Sequence, residues 1–138
     1  MIKILFTAII ICSSLFSNAQ KQDSIPVTSI IKIDVANMIQ LDENLSIELV
    51  EVLSDSRCPK NVQCIRAGEA IVLVNIYKEG KVERQEKLVI YPTSIPDKTL
   101  QALSSKLTQT TAISLLPYPN GITKTELSNY CLELTVTR

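Results

Sequence analysis

Residues 69–91 read EAIVLVNIYKEGKVERQEKLVIY and decide the fold class of this 138-residue chain. The first part, Glu69–Tyr77, is apolar at almost every position, which is typical of a strand in the middle of a sheet. Gly80 lies in a short polar turn, where glycine can adopt a positive φ. The chain then returns through Val82–Tyr91, which is charged at its start and apolar from Leu88. This stretch predicts a β-hairpin whose second strand begins outside the core and ends within it.

Further strands are predicted on both sides of the hairpin. Residues 27–35 and 130–137 alternate between apolar and polar side chains, and 111–116 is a short strand-like run. In 45–53 the apolar phase switches at Leu49–Val50. One inserted residue would produce such a switch, so we expect a β-bulge or bend there.

The segment that follows the hairpin has a different period. Leu100, Leu103 and Leu107 recur at three- and four-residue spacing, which favours one short helix within 97–108. An irregular crossover that contains a short strand is the alternative. The chain is therefore predicted to be all-β, a single antiparallel β-sandwich of about six or seven strands, with a β-barrel as the alternative.

The first 19 residues have the composition of a secretory signal peptide. Met1–Lys3 is a short positive start, Ile4–Leu15 is mostly apolar, and Ser17–Ala19 has the small-x-small pattern of a cleavage site. We therefore expect cleavage between Ala19 and Gln20. An uncleaved membrane anchor is the alternative, but the apolar stretch is well short of the roughly 20 residues that span a bilayer.

Cys12 raises the further possibility of a lipoprotein, in which a cysteine directly after the cleavage point is acylated. Ile11 occupies the preceding position, where such signals have a small residue, so lipid anchoring is not expected. The chain is thus divided into a signal peptide (1–19), a flexible leader (20–26) and one β-sandwich domain (27–138). The mature protein is predicted to be periplasmic or extracellular, without stable membrane insertion.

The composition excludes several classes of function. The chain has no histidine, so it can form no Ser-His-Asp triad, no Cys-His dyad and no His-ligated metal site. Its 14 basic and 14 acidic residues balance, which leaves no electrostatic footprint for nucleic acid. No catalytic constellation is recognisable, and we expect a protein that is not an enzyme and needs no metal or other cofactor.

The most distinctive stretch is Asp55–Ala70, which lies between two predicted strands and contains Cys58 and Cys64. In an exported protein, two cysteines separated by five residues are best interpreted as a local disulfide. Closing this loop would contribute roughly 2–2.5 kcal/mol in the chain-entropy model. Cys131 is then unpaired, and we expect a buried free thiol, with pairing between molecules as the alternative.

Polar side chains in the cysteine loop are candidates for recognition. Asp55 and Arg57 would present a charged surface, to which Ser56, Asn61 and Arg66 would add. A structural interpretation is also open, because Asp55, Ser56 and Asn61 are residue types that hydrogen-bond the backbone of their own loop.

The loop resembles one found in a group of small, mostly uncharacterised secreted proteins and lipoproteins of Bacteroidota-like bacteria. The shared pattern is Asp-Ser-Arg-Cys-Pro at 55–59, four further residues, Cys64 and then Gly68. The ending at 115–119, Leu-Leu-Pro-Tyr-Pro, is similar as well. These relatives commonly have Trp where this chain has Arg66. The resemblance implies export and a β-sandwich with this loop bridged, and it implies no particular activity or ligand.

Two functions from different classes remain open. The first is a non-catalytic binding module of the cell envelope or extracellular space, which would bind an unknown protein or small ligand through the loops around 55–68 and 117–129. The second is a small secreted hydrolase or an enzyme-inhibitor-like effector. A pocket with two carboxylates of raised pKa would favour the enzyme, and an exposed loop without a cleft would favour the binding module.

Overall fold

The computed structural model describes residues 26–93 and 95–138. The predicted signal peptide, its cleavage site at Ala19 and Gln20, Cys12 and the leader up to residue 25 lie outside these residues. Within them, no helix combines the length and the apolar character that a membrane crossing requires.

The described residues form seven strands, one α-helix and one turn of 3₁₀-helix at Leu127–Asn129. Four strands and three strands make two antiparallel sheets. The elements are β1 (Thr28–Asp34), β2 (Met38–Gln40), β3 (Leu45–Asp55), β4 (Ala70–Lys78), β5 (Lys81–Ile90), α1 (Asp97–Ala102), β6 (Gln109–Leu116) and β7 (Cys131–Thr137).

The two sheets have the strand orders β2-β3-β4-β5 and β1-β7-β6. They pack as a β-sandwich, which confirms the predicted fold class, and the described strands do not close into the alternative barrel. β1 and β7 run antiparallel along their whole length, so the start and the end of the domain lie side by side. Hydrogen bonds in both directions between Val27 and Arg138, each of 3.1 Å, extend this pairing.

The core consists almost entirely of aliphatic side chains that alternate along the strands. On β4 and β7 every second residue is buried. The sequence predicted this alternation for β7, whereas the run at 69–77 is apolar at almost every position. Among the buried hydrophobic residues that the structure describes, Tyr130 is the one aromatic side chain. The fully buried residues on β3, β4, β6 and β7 include Ile47, Leu49, Val72, Val74, Ile76, Leu115, Leu132 and Leu134.

The hairpin and the first bulge agree with the sequence. β4 and β5 are joined by a two-residue turn in which Glu79 and Gly80 have φ angles of 52° and 77°. Two successive positive φ values are typical of a type I′ turn, whose twist matches that of the flanking strands. In β3 the register shifts between Leu49 and Glu51, which leaves Val50 as the extra residue at the predicted position.

Some features of the fold were not predicted from the sequence, among them β2 and a second bulge in β3. β2 is a three-residue strand on the edge of the larger sheet, and three residues are too few to show a period. A second register shift in β3 lies between Val52 and Ser54.

The predicted short helix is confirmed, but the three leucines that predicted it do not all lie within it. α1 ends at Ala102, and Leu103 directly after it is buried. Leu100 is half-buried against the core. Leu107 is 69% exposed, because it lies beyond the end of the helix in the turn that leads to β6.

These two leucines provide a matched test of the packing. Leu103→Ala should lower the free energy of unfolding by about 3 kcal/mol, because it removes a fully buried side chain and leaves a cavity. Leu107→Ala should change it by less than about 0.5 kcal/mol. Urea denaturation followed by circular dichroism measures both, and equal effects would contradict the packing described for this segment.

Candidate functional site

The disulfide loop continues the β3–β4 pair beyond the ends of the two strands. Cys58 and Cys64 are bonded, with an S–S distance of 2.12 Å. At the base of the loop, the Ser56 amide donates to the Glu69 carbonyl at 2.8 Å, and the Cys58 amide donates to the Ala67 carbonyl at 2.8 Å. The Ser56 hydroxyl adds a hydrogen bond of 2.9 Å to the Glu69 carbonyl. The base of the loop is therefore as firmly paired as a strand.

Gly68 is required by this close pairing. Its φ is +69°, and a Cβ atom built on it would lie 1.8 Å from the carbonyl oxygen of Ser56. Any side chain at this position would force the two arms of the loop apart. The glycine four residues after the second cysteine therefore has a local steric cause.

Arg57 is buried between the disulfide loop and the second sheet. Its side chain is 2% exposed and forms a two-point ion pair with Asp55, with Nε to Oδ1 at 2.8 Å and Nη2 to Oδ2 at 2.7 Å. The guanidinium also donates to the carbonyl of Leu115 at 2.6 Å and to that of Pro117 at 3.2 Å. Its carbon lies 4.8 Å from the centre of the Tyr118 ring. Arg57 thus connects the end of β3 to the end of β6.

Asp55 is held as a carboxylate by its neighbours. Burial acts to raise the pKa of Asp55, but the hydrogen bonds and charge of Arg57, together with the hydroxyl of Tyr130 at 2.9 Å, lower it below the usual value of 3.8. Burial and the same carboxylate raise the pKa of Tyr130. The group therefore stays charged on Asp55 and protonated on Tyr130 at neutral pH.

The prediction that Asp55 and Arg57 form a charged recognition surface is wrong. Both side chains are buried, and each uses its polar atoms on the other and on nearby groups. The structural interpretation holds for Asp55, which accepts from the Arg57 amide at 3.2 Å, and for Ser56. Asn61 and Arg66 are exposed and make no side-chain hydrogen bond within the described part of the chain.

A second loop, residues 117–129, packs against the disulfide loop. The Lys60 amide donates to the Pro119 carbonyl at 3.1 Å. At Gly121 an added Cβ would lie 3.2 Å from side-chain carbon atoms of Pro59 and Val62, so the Gly121 backbone packs closely against these side chains. The two loops that the sequence suggested for binding therefore lie together at one end of the sandwich.

Asn120 fixes the turn of the second loop and was not identified from the sequence. Its Oδ1 accepts from the amides of Ile122 and Thr123, at 3.0 and 3.2 Å. The sequence Pro-Asn-Gly at 119–121 is typical of such a turn.

Both loops carry exposed aliphatic side chains. Ile65 is fully exposed, Ile122 is 82% exposed, and Val62 and Leu127 are more than half exposed. We call Val62, Ile65, Ile122 and Leu127 the loop surface. These residues have no regular spacing, and for this reason the sequence patterns did not identify them.

A shallow cleft of about 290 Å³ separates the two loops. Its charged lining residues include Asp55 and Arg57, which are bound to each other, and the exposed Lys124. Elsewhere among the described residues, hydrogen bonds lower the pKa of two other carboxyls, that of Asp42 through Ser105 and that of Glu48 through Tyr77. The cleft thus contains no pair of carboxylates with raised pKa of the kind that general acid catalysis uses.

A larger groove of about 830 Å³ lies near the hairpin turn, at the other end of β4. Lys78, Glu83 and Arg84 line one side of it, and Arg84 donates to the Ala102 carbonyl at 2.9 Å. Lys78 and Arg84 both pair with Glu83, and the groove is also lined by Asp42 and Lys106. The described residues contain no group of three His, Cys, Asp or Glu side chains that would hold a metal ion.

Cys131 forms no disulfide within the described residues and is half-buried. It faces away from the core, as the alternation of β7 predicted. Burial and the neighbouring Asp34 raise the pKa of its thiol, so the reactive thiolate is disfavoured. The structure agrees with the prediction that Cys131 is a free thiol. The prediction that this thiol is buried is only partly correct, because the side chain is half-buried.

Comparisons with known proteins found no match: no family model, no curated protein and no solved structure is similar to this chain.

The role of Gly68 can be tested against Gly80, since both have positive φ. Gly80 has no atom within 4 Å of an added Cβ, so Gly80→Ala should cost only about 1 kcal/mol for its backbone conformation. Gly68→Ala should cost at least about 3 kcal/mol, because the new methyl group overlaps the Ser56 carbonyl. Urea unfolding measures both, and similar losses would show that the loop adapts easily.

Removing Arg57 should leave a buried carboxylate without a partner. Arg57→Met is expected to lower the free energy of unfolding by about 3–5 kcal/mol at pH 7. Arg66→Met is the control, because it makes the same change at an exposed arginine, and it should lower the free energy of unfolding by less than about 0.5 kcal/mol. Tyr130→Phe, which removes one donor from Asp55, should cost about 1 kcal/mol.

The loss caused by Arg57→Met should depend on pH. Because the folded pKa of Asp55 is lowered, the ion pair stabilises the wild type fully above the unfolded value near 3.8. That contribution is lost as the pH falls through the folded pKa. The difference between wild type and variant should therefore shrink between pH 5 and pH 2. A constant difference would contradict the role given to the Asp55 charge.

Proposed function

We propose that the protein is an exported, non-catalytic binding module that recognises another protein through the loop surface. The observation that carries this proposal is the exposure of four aliphatic side chains on two adjoining loops whose backbones are tightly held. Single exposed apolar residues are common on protein surfaces. Here they are on two loops at one end of the domain.

The loops are held in place before any partner binds. The disulfide closes one loop, and the Arg57 group connects the end of β3 to Leu115 and Pro117. Binding therefore orders little additional chain, and a smaller entropy loss leaves more of the contact energy as affinity. This kind of preorganisation supports a recognition role better than a purely structural one.

The side chains around the loop surface indicate the chemistry of the partner. Lys60, Arg66 and Lys124 are exposed, against one exposed carboxylate, Glu126, on the same loops. Binding surfaces commonly combine an apolar centre with a charged rim that is complementary to the partner. We therefore expect a protein with an apolar patch bordered by acidic side chains.

Export rests on the N-terminal sequence and is supported by the disulfide, since disulfides persist in oxidising compartments. The partner would then be in the periplasm, on the envelope or outside the cell. If that partner is an enzyme, the module would act as an inhibitor-like effector through the same surface. The hydrolase alternative has less support, because Asp55 and Arg57 in the cleft neutralise each other.

The proposal predicts a loss of binding without a loss of stability. Ile65→Asp combined with Ile122→Asp should abolish capture of the partner by tagged protein from envelope and culture-supernatant fractions, because both side chains are exposed and would contribute apolar contact. The melting temperature should remain within a few degrees of the wild type. The protein recovered from these fractions should begin at Gln20, which mass spectrometry of the intact chain measures.

The matched control is Val82→Asp, which places the same charge at an exposed aliphatic residue near the hairpin turn. A protein that the wild type and Val82→Asp capture, and the double variant does not, would support the proposal. Capture of the same proteins by all three forms would contradict it.

A further inference from the structure

The outward face of the four-stranded sheet is apolar along its middle. In a two-sheet sandwich, one face of each antiparallel sheet packs in the core and the other faces water, so the outward positions are normally polar. On β4 the outward residues Ile71 and Leu73 are aliphatic and half-buried. Val89 lies beside Ile71 on β5. We call Ile71, Leu73 and Val89 the outer patch.

Two opposite charges flank this patch. The strand register places Glu51 of β3 on one side of Leu73 and Lys87 of β5 on the other. Both charged side chains are exposed, and within residues 26–93 and 95–138 neither has an ion-pair partner. Because β4 lies between them, their backbones are about 9.5 Å apart. They are therefore available to a molecule that covers the patch.

The arrangement is complementary to itself under one symmetry operation. A two-fold axis parallel to β4 and passing above Leu73 exchanges the two sides of the strand. It brings Glu51 of one copy opposite Lys87 of the second copy, and Lys87 opposite Glu51, while the two Leu73 side chains meet. A two-fold axis perpendicular to the strands would instead place Glu51 against Glu51.

The next row of the sheet fits the same operation. Asn75 has Glu48 on its β3 side and Gln85 on its β5 side, so the axis along β4 brings the Glu48 carboxylate opposite an amide that can donate to it. The carboxylate already accepts from Tyr77 at 2.7 Å and from Asn75 at 2.9 Å. Both rows thus place an acceptor opposite a donor.

We infer that the protein forms a two-fold symmetric homodimer through this outward face, with the outer patch at its centre and two Glu51–Lys87 ion pairs across it. Sheets that pack face to face lie about 10 Å apart with nearly aligned strands, which is within the combined reach of Glu and Lys side chains. The three long strands β3, β4 and β5 form a face that is about 14 by 23 Å over seven residues. Such a small interface gives a weak dimer, with a Kd on the order of micromolar.

The symmetry has a consequence for binding. An axis parallel to β4 leaves the disulfide loops of both copies at the same end of the dimer. Two loop surfaces would then face a partner surface together, which raises the apparent affinity for a repetitive or multimeric partner. This consequence rests on the proposed function, whereas the dimer itself does not.

A charge exchange tests the dimer without any partner. Glu51→Lys would place two lysines opposite each other, and Lys87→Glu two glutamates, so each single variant should raise the dimer Kd at least about tenfold in sedimentation velocity between 1 and 500 μM. The combined variant restores opposite charges and should return the Kd to within about threefold of the wild type. High salt should reduce the differences in dimer Kd between the single variants and the wild type, because it screens the charges.

The matched control is a cross-strand pair on the outward face of the other sheet. Lys32 and Glu133 are neighbours on β1 and β7 with an N–O distance of 3.6 Å, and Lys32→Glu combined with Glu133→Lys should leave the dimer unchanged. The Ile65→Asp, Ile122→Asp protein should also remain dimeric, which separates this test from the loop surface. Wild-type protein that is monomeric at 500 μM, or a combined variant no better than the single ones, would overturn the inference.

Discussion

The buried pair of Arg57 and Asp55 is the interaction on which the loop end of this domain depends. Two charges in a poorly hydrated position lose solvation that their mutual attraction alone does not always offset. Here the guanidinium also satisfies two carbonyls at the end of the other sheet, and the carboxylate receives the Tyr130 hydroxyl. Because each guanidinium nitrogen has an acceptor, the pair links the two sheets where the aliphatic core ends.

The parts of the fold that could be predicted from the sequence are those with local causes. The hairpin needs only an apolar run, a glycine and a second run, and the bulge at Val50 follows from a phase switch within one strand. The alternation of β7 likewise predicted that the Cys131 side chain faces away from the core. β2 has three residues and no period, and Leu107 has helical spacing but lies outside the helix.

The site was predicted only in part because its main contacts are between residues far apart in the chain. The disulfide lies within one loop and was identified from the spacing of Cys58 and Cys64. Arg57 was assigned to the surface because, of its partners, only Asp55 is near it in the sequence, and a neighbouring pair of opposite charges does not by itself indicate burial. Its acceptor Leu115 is 58 residues away, and Tyr130 lies 75 residues from Asp55. Only the packing of the two sheets brings these groups together.

The two outward sheet faces of the domain use the same residue types differently. Lys32 and Glu133 are on adjacent strands and pair within one chain. Glu51 and Lys87 are separated by the central strand β4, which is apolar between them, and no ion pair joins them within the described residues. Exposed unpaired charges cost little in water, and they do not by themselves require a partner. Contact between water and the aliphatic side chains of the outer patch is unfavourable. A second copy of the same face would remove that water and would also pair both charges.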